Sequence, residues 1–193
     1  MHGRPQVILI GGPNGAGKTT SAKFILHDFL GVDQFVNADL IAQGLSGFGS
    51  DRVALQAGKV MLRRLHELAN SQSSFAFETT LASRSFAPWL RELKSNGYQF
   101  TLIYIGLSTP ELSISRVAER VRVGGHHVPS DIIKRRYSAG LRNFFQLYLP
   151  IADRWRFYDN SGVAPYRMIA GDSEIIDPRM WEEIRRRYDD SRS

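Results

Sequence analysis

Two rhythms alternate along this chain. Short apolar runs of strand length are followed by longer stretches with apolar residues at every third or fourth position. Gln6–Ile10 (QVILI) is an apolar run closing on glycines, and it predicts a buried first strand. A helix is expected over Lys18–Leu30, a strand over Gln34–Asp39 and a helix over Asp51–Asn70. Ser74–Thr79 (SFAFET) predicts the third strand, and Phe86–Asn96 a helix closed by Gly97. Gln99–Leu107 is so uniformly apolar that it belongs at the centre of a sheet covered on both faces.

The second half follows the same pattern. Ser108-Thr109-Pro110-Glu111 supplies an N-cap, a first-turn proline and a glutamate at the capping-box position. The helix it opens carries Ile114, Val117, Ala118 and Val121 at helical spacing, and Gly124-Gly125 breaks it. Another helix starts at Pro129-Ser130, with Ile133, Tyr137, Leu141, Phe144, Phe145 and Tyr148 on one stripe. Late strands are expected over Arg154–Asn160 and Arg167–Ala170, and a terminal helix over Pro178–Tyr188. Strands alternating with helices predict an α/β three-layer fold around a mainly parallel sheet. No repeat or linker divides the 193 residues, so a single domain is expected, with 110–148 as a helical lid or substrate segment.

One junction carries explicit chemistry. Gly12, Pro13, Asn14, Gly15, Ala16, Gly17, Lys18 and Thr19 match G-x-x-x-x-G-K-[ST] between the first strand and the first helix, and Thr20 follows. Glycines allow backbone N–H groups to converge on phosphate oxygens, and the helix N-terminus adds its partial charge. Lys18 is expected to reach the β- and γ-phosphates of ATP (GTP also fits), with the Thr19 hydroxyl on Mg²⁺. The loop alone does not name the reaction.

What faces the γ-phosphate must decide. Ligands of an open parallel sheet collect at the carboxyl ends of its strands, where Asp39 and Glu78 are expected. Asp39 suits an acceptor carboxylate near an incoming hydroxyl, its alternative being a helix cap or turn. Glu78, with Thr79 and Thr80, suits a substrate's hydroxyls, its alternative being a loop acid capping the next helix. The fourth strand has no acid, and no signature-type motif follows, which argues for group transfer over mechanical work.

Charge adds the rest. Lys and Arg outnumber acids 25 to 19, and the basic residues cluster at 116–142 and in the tail. The tail alternates with Glu182, Glu183, Asp189 and Asp190 and reads as a solvated helix face, so nucleic acid is not an expected partner. Arg116 and Arg120 share a helix face, and Arg135 and Arg136 begin the next helix beyond the glycines. A glycine-hinged pair of arginine-bearing helices is what a lid over transferring phosphates requires; a basic solvated surface is the plainer alternative. His126 is a weaker candidate phosphate contact. The chain has no cysteine, no signal-peptide stretch and no apolar segment of bilayer length, which suits the cytoplasm.

Taken together, FVNADLIAQGLS, SFAFETTL, RVAERVRVGGHHVP, RRY and YDNS resemble the zeta-toxin-like P-loop kinases, over about Gln6–Ala170. That resemblance implies transfer of the ATP γ-phosphate to a hydroxyl of UDP-N-acetylglucosamine, and an antitoxin partner. It implies Lys18 as the phosphate-binding lysine, Asp39 as the base, Glu78 as the substrate-binding acid and Arg120 as the first lid arginine. The family's second lid arginine precedes a proline, where this chain has Gly125-His126-His127-Val128-Pro129; His126 substitutes, or Arg136 reaches in. The expectation is a P-loop kinase acting on a small-molecule hydroxyl. Its rivals are a regulatory nucleotide-binding ATPase with a protein partner and a nucleic-acid-end kinase.

Overall fold

The computed structural model describes residues 3–25, 32–45 and 51–190. Strand β1 (Gln6–Gly11) leads through the glycine-rich loop into helix α1 (Lys18–Ile25). Residues 26–30, the expected remainder of that helix, lie outside the described residues. Strand β2 (Gln34–Val36) is shorter than expected, and helix α2 (Ala38–Leu45) starts where the strand was expected to end. The reason is local: the Asn37 side chain accepts from the backbone N–H groups of Asp39, at 2.7 Å, and Leu40, at 3.2 Å. Asn37 thereby acts as an N-cap and turns the chain into a helix three residues early.

Helix α3 (Asp51–Asn70), β3 (Phe75–Thr79), α4 (Phe86–Ser95) and β4 (Gln99–Gly106) follow the sequence pattern within a residue or two. Helix α5 (Pro110–Arg122) is capped by Thr109, whose hydroxyl accepts from the Leu112 N–H at 3.1 Å. The expected capping box is therefore not formed. Its glutamate, Glu111, pairs instead with Lys134 across the hairpin. Helix α6 (Ser130–Asn143) runs on through a π-turn (Phe144–Tyr148) before β5 (Arg154–Asp159), β6 (Arg167–Gly171) and helix α7 (Pro178–Asp190).

Among the described residues the strands form one sheet in the order β2-β3-β1-β4-β5-β6, parallel except for β6. The phosphate-loop strand is thus central, flanked by β3 and β4. Its alternation explains its unbroken apolarity: Val7 and Leu9 enter one core, while Ile8 and Ile10 enter another on the opposite face. The first core contains Leu65 from α3, Leu90 from α4 and Trp181 from α7. The second contains Ala22 from α1, with Leu112 of α5 packed against it. Helices on both faces make the three layers.

The helical hairpin carries a small core of its own, Val117, Val128 and Ile133, flanked by Ile114 and Val121. Ala118, from the expected stripe, is exposed. Farther along the α6 stripe, Leu141, Phe144 and Tyr148 are buried in the main core. Gly140 packs so closely on Thr80 that a Cβ there would strike its carbonyl oxygen. The base of the hairpin is anchored to the sheet, and its far end stands on its own contacts. The tail also does more than face solvent. Trp181 and Ile184 are buried, and Arg187 donates to the Ser108 carbonyl at 3.1 Å.

Candidate active site

The Gly12–Thr19 loop bends back over the end of the sheet because its glycines adopt backbone angles denied to other residues. Gly12 has φ +145°, and a Cβ there would strike the Ile105 carbonyl of β4. Gly17, at φ +80°, would place a Cβ 2.9 Å from the Tyr166 hydroxyl and 3.0 Å from Asn160 Nδ2. Lys18 is buried at 7% exposure, and its ammonium donates to the Pro13 carbonyl at 3.0 Å, closing the loop on itself. Ser113 of α5 donates to the Asn14 carbonyl, and the buried Asn14 Oδ1 has no partner.

Burial holds the Lys18 pKa below the ordinary lysine value, opposed by the negative charges of Glu78 and Asp39 and reinforced by the positive charges of Arg120 and Arg136. The sequence-nominated Asp39, Glu78, Arg120 and Arg136 thus all lie within electrostatic reach of a single ammonium group. Residues as far apart in sequence as Lys18 and Arg136 act on one another because β1 and β3 are neighbours in the sheet and α5 and α6 pack together beside the phosphate loop.

The two acids are placed differently. Asp39 lies in the first turn of α2, exposed, rather than at the end of a strand. The cap of that helix is Asn37, which removes capping as the explanation for Asp39. Glu78, near the end of β3, accepts a 2.8 Å hydrogen bond from the Thr19 hydroxyl, which in turn accepts from Asn37 Nδ2 at 3.2 Å. Thr79 is occupied in its own turn, its hydroxyl accepting from the Leu81 N–H at 3.3 Å. Thr20 is exposed on α1.

The hairpin distinguishes the basic residues. Arg120 donates to the His126 carbonyl at 2.8 Å, and its buried Nε has no partner. The His126 side chain is exposed and does not figure among the charges acting on Lys18, whereas Arg136 does. Of the two residues nominated for the second lid position, Arg136 lies within electrostatic reach of Lys18. Among the described residues no carboxylate is ion-paired with Arg116, Arg120 or Arg136.

The zeta toxin family model matches residues 48–168, more than half of the chain. This chain belongs to the zeta toxin family. The match begins beyond both the phosphate loop and Asp39, so those residues stand on their own motif and geometry. An uncharacterized protein of Haemophilus influenzae is 30% identical over 126 residues, covering 65% of this chain and 88% of that one. Among solved structures, the AvrRxo1-ORF1:AvrRxo1-ORF2 complex with sulphate ions aligns with a TM-score of 0.75 at 18% identity, over 94% of this chain. This chain spans 63% of the AvrRxo1 chain it matches. The PezAT chromosomal toxin-antitoxin system of Streptococcus pneumoniae aligns with a TM-score of 0.62 at 20% identity, over 98% of this chain and 88% of that one. At these identities the solved structures speak to the fold alone, the three-layer α/β arrangement around a mainly parallel sheet.

Sequence reasoning missed three residues at this site. Asn37 joins the α2 cap to Thr19. Asn160 and Tyr166, from the β5–β6 loop, grip the far side of the phosphate loop through the Ala16 carbonyl at 2.9 Å and the Gly17 carbonyl at 3.1 Å. The YDNS stretch had been visible, but nothing in its composition says that it folds back onto residues 16 and 17.

Proposed function

We propose that this zeta-toxin-family chain is a kinase that transfers the γ-phosphate of ATP to a hydroxyl of a small molecule, with a nucleotide sugar as the acceptor class. The observation that carries this reading is the convergence of Asp39, Glu78, Arg120 and Arg136 on the buried Lys18 ammonium. A phosphate-binding lysine flanked by one exposed acid and two cations supplies the elements of in-line phosphoryl transfer. The acceptor oxygen attacks the γ-phosphorus, its proton passes to the Asp39 carboxylate, and the bond to the bridging oxygen breaks to release ADP. Lys18, Arg120 and Arg136 stabilise the charge that builds on the phosphoryl oxygens.

The donor set near Thr19 suits Mg²⁺, which binds through one or two protein oxygens plus substrate phosphates rather than in an all-protein cage. Thr19 would hold the ion, with Glu78 holding the Thr19 hydroxyl in place. Bound there, Mg²⁺ would neutralise charge on the β- and γ-phosphates.

The likeness to the PezAT toxin-antitoxin system supports a neutralising protein partner as part of the same reading. ATP as the phosphate donor supports a cytoplasmic location as part of the same reading. No helix among the described residues is long and apolar enough to cross a membrane. The test is ATP consumption by the purified chain over a panel of nucleotide sugars, nucleosides and simple sugars, with mass spectrometry of the product. A product heavier by one phosphoryl group, lost in Lys18→Met, is expected. ATP hydrolysis with no phosphorylated acceptor in any arm would reject group transfer.

A further inference from the structure

Helix α7 carries an arginine where its apolar period calls for a core residue. Trp181 and Ile184 are buried in the core, and Arg187 follows at the same spacing of three. A guanidinium on a core-facing stripe needs a partner, and Arg187 donates to the Ser108 carbonyl at 3.1 Å. The Tyr137 hydroxyl, from α6, donates to the neighbouring carbonyl, that of Leu107, at 2.7 Å. Two helices thus meet on consecutive residues of the junction between β4 and α5. The Ser108 N–H is engaged as well, donating to the Ser161 hydroxyl oxygen at 2.7 Å.

Packing alone does not fix this junction. A cavity of about 50 Å³ remains between the helices and the sheet, its lining including Tyr104, Leu107, Tyr137, Leu141, Ile184 and Arg187. Where side chains leave such a space, van der Waals contact resists a small rotation of α6 only weakly, and directional hydrogen bonds must set it. Burial pushes the Tyr137 pKa up, against the pull of the Arg187 charge, so the phenol keeps the proton that it donates.

The junction bears on the arginines of the hairpin. It leads directly into α5, which carries Arg120, and Tyr137 follows Arg136 in α6. Both cations act on Lys18. A rotation of α6 that took Tyr137 off the Leu107 carbonyl would swing the preceding residue, Arg136, with it. We propose that Tyr137 and Arg187 are positioning residues of the transfer reaction: they lock α6 and α7 onto the β4–α5 junction and so aim Arg136 at the phosphates. The inference rests on the kinase reading of the site. It extends that reading to α7, which lies beyond the residues that the zeta toxin family model matches.

The test is a double-mutant cycle on the full chain. The substrates are Mg·ATP and either UDP-N-acetylglucosamine or the panel acceptor that wild type phosphorylates. Tyr137→Phe and Arg187→Met each remove one of the two bonds. Each should lower kcat by about three- to tenfold, the worth of one hydrogen bond, with little change in ATP affinity. In an Arg136→Ala background neither should cost anything further, because the residue that they aim is gone. Losses that multiply with that of Arg136→Ala, or a fall in ATP affinity as large as the fall in kcat, would make the pair ordinary structural support and overturn the inference. Hydrogen exchange along α6 gives a reading that needs no activity. Both variants should speed exchange over Ser130–Asn143 and leave β1 unchanged. Unchanged exchange in α6 would also overturn the inference. Faster exchange in the variants, with no phosphoryl transfer by wild type to any acceptor, would keep the brace and dismiss the kinase reading.

Discussion

Thr19 donates its hydroxyl to Glu78 at 2.8 Å, joining the first turn after the phosphate loop to the end of the neighbouring strand β3. β1 and β3 are paired so that Ile10 faces Glu78 across the register, which leaves the carboxylate level with the start of α1. Under the proposed function, an acid in that place would serve the metal side of the nucleotide as directly as an acceptor. Glu78→Gln should therefore raise the Mg²⁺ concentration needed for half-maximal activity and weaken Mg·ATP binding more than metal-free ATP binding. If only the acceptor KM moves, Glu78 acts on the substrate alone, as the family resemblance by itself implied.

Asp39→Asn should spare ATP affinity and reduce transfer by about 10²–10⁴-fold, because the amide keeps the shape but takes no proton. Since Asn37 and not Asp39 caps α2, thermal stability should change little. Turnover within threefold of wild type, measured with saturating acceptor, would dismiss Asp39 as the base.

Asn37 separates two roles in one side chain. Its Oδ1 caps α2 and its Nδ2 donates to Thr19. Asn37→Asp keeps the cap and loses the donor, and Asn37→Ala loses both. Only the alanine variant should lose stability, by about 1 kcal/mol, while both should lose activity. Denaturant melts beside turnover assays read the two effects separately; an unchanged rate in Asn37→Asp would show that the Thr19 contact is dispensable.

Lys18 is a buried cation whose pKa burial depresses. The unfolded chain therefore binds the extra proton over the window from the folded pKa up to the ordinary 10.5, and Lys18 makes stability rise with pH there. Below that window the charged group carries its full burial cost. Lys18→Met should accordingly raise the Tm of the ligand-free protein near neutral pH, at about 2–4 °C per kcal/mol for a domain of this size. The same change should abolish the Tm increase on adding ATP. A ligand-free Lys18→Met protein that melts below wild type would contradict the sign.

The hairpin arginines are expected to act chiefly in the transition state. Arg120→Ala and Arg136→Ala should each lower kcat more than they weaken ATP binding. His126→Ala should leave both constants near wild type, because its exposed imidazole is not among the groups acting on Lys18, although its backbone carbonyl holds Arg120. A His126 variant as impaired as the arginine variants would return the histidine to the phosphate site.

The sequence by itself determined the phosphate-loop motif and, apart from α2, the order of strands and helices, and it nominated Lys18, Asp39, Glu78 and Arg120 as site residues. Each is a local property: a fixed spacing, an apolar period or a residue type at the end of a run. It also determined that β1 and β4 are interior strands, since only burial on both faces tolerates such uniform apolarity. Only the tertiary structure separates His126 from Arg136 in placement: the His126 side chain is exposed, whereas Arg136, on α6, lies within electrostatic reach of Lys18. It alone tied the Asn37 cap of α2 to Thr19, a contact that spans 18 residues. It alone brought Asn160 back to Ala16, a contact across 144 residues. The Asn160 contact pairs a side chain with a backbone carbonyl, and every residue has a carbonyl, so the identity of the partner leaves no mark on the sequence.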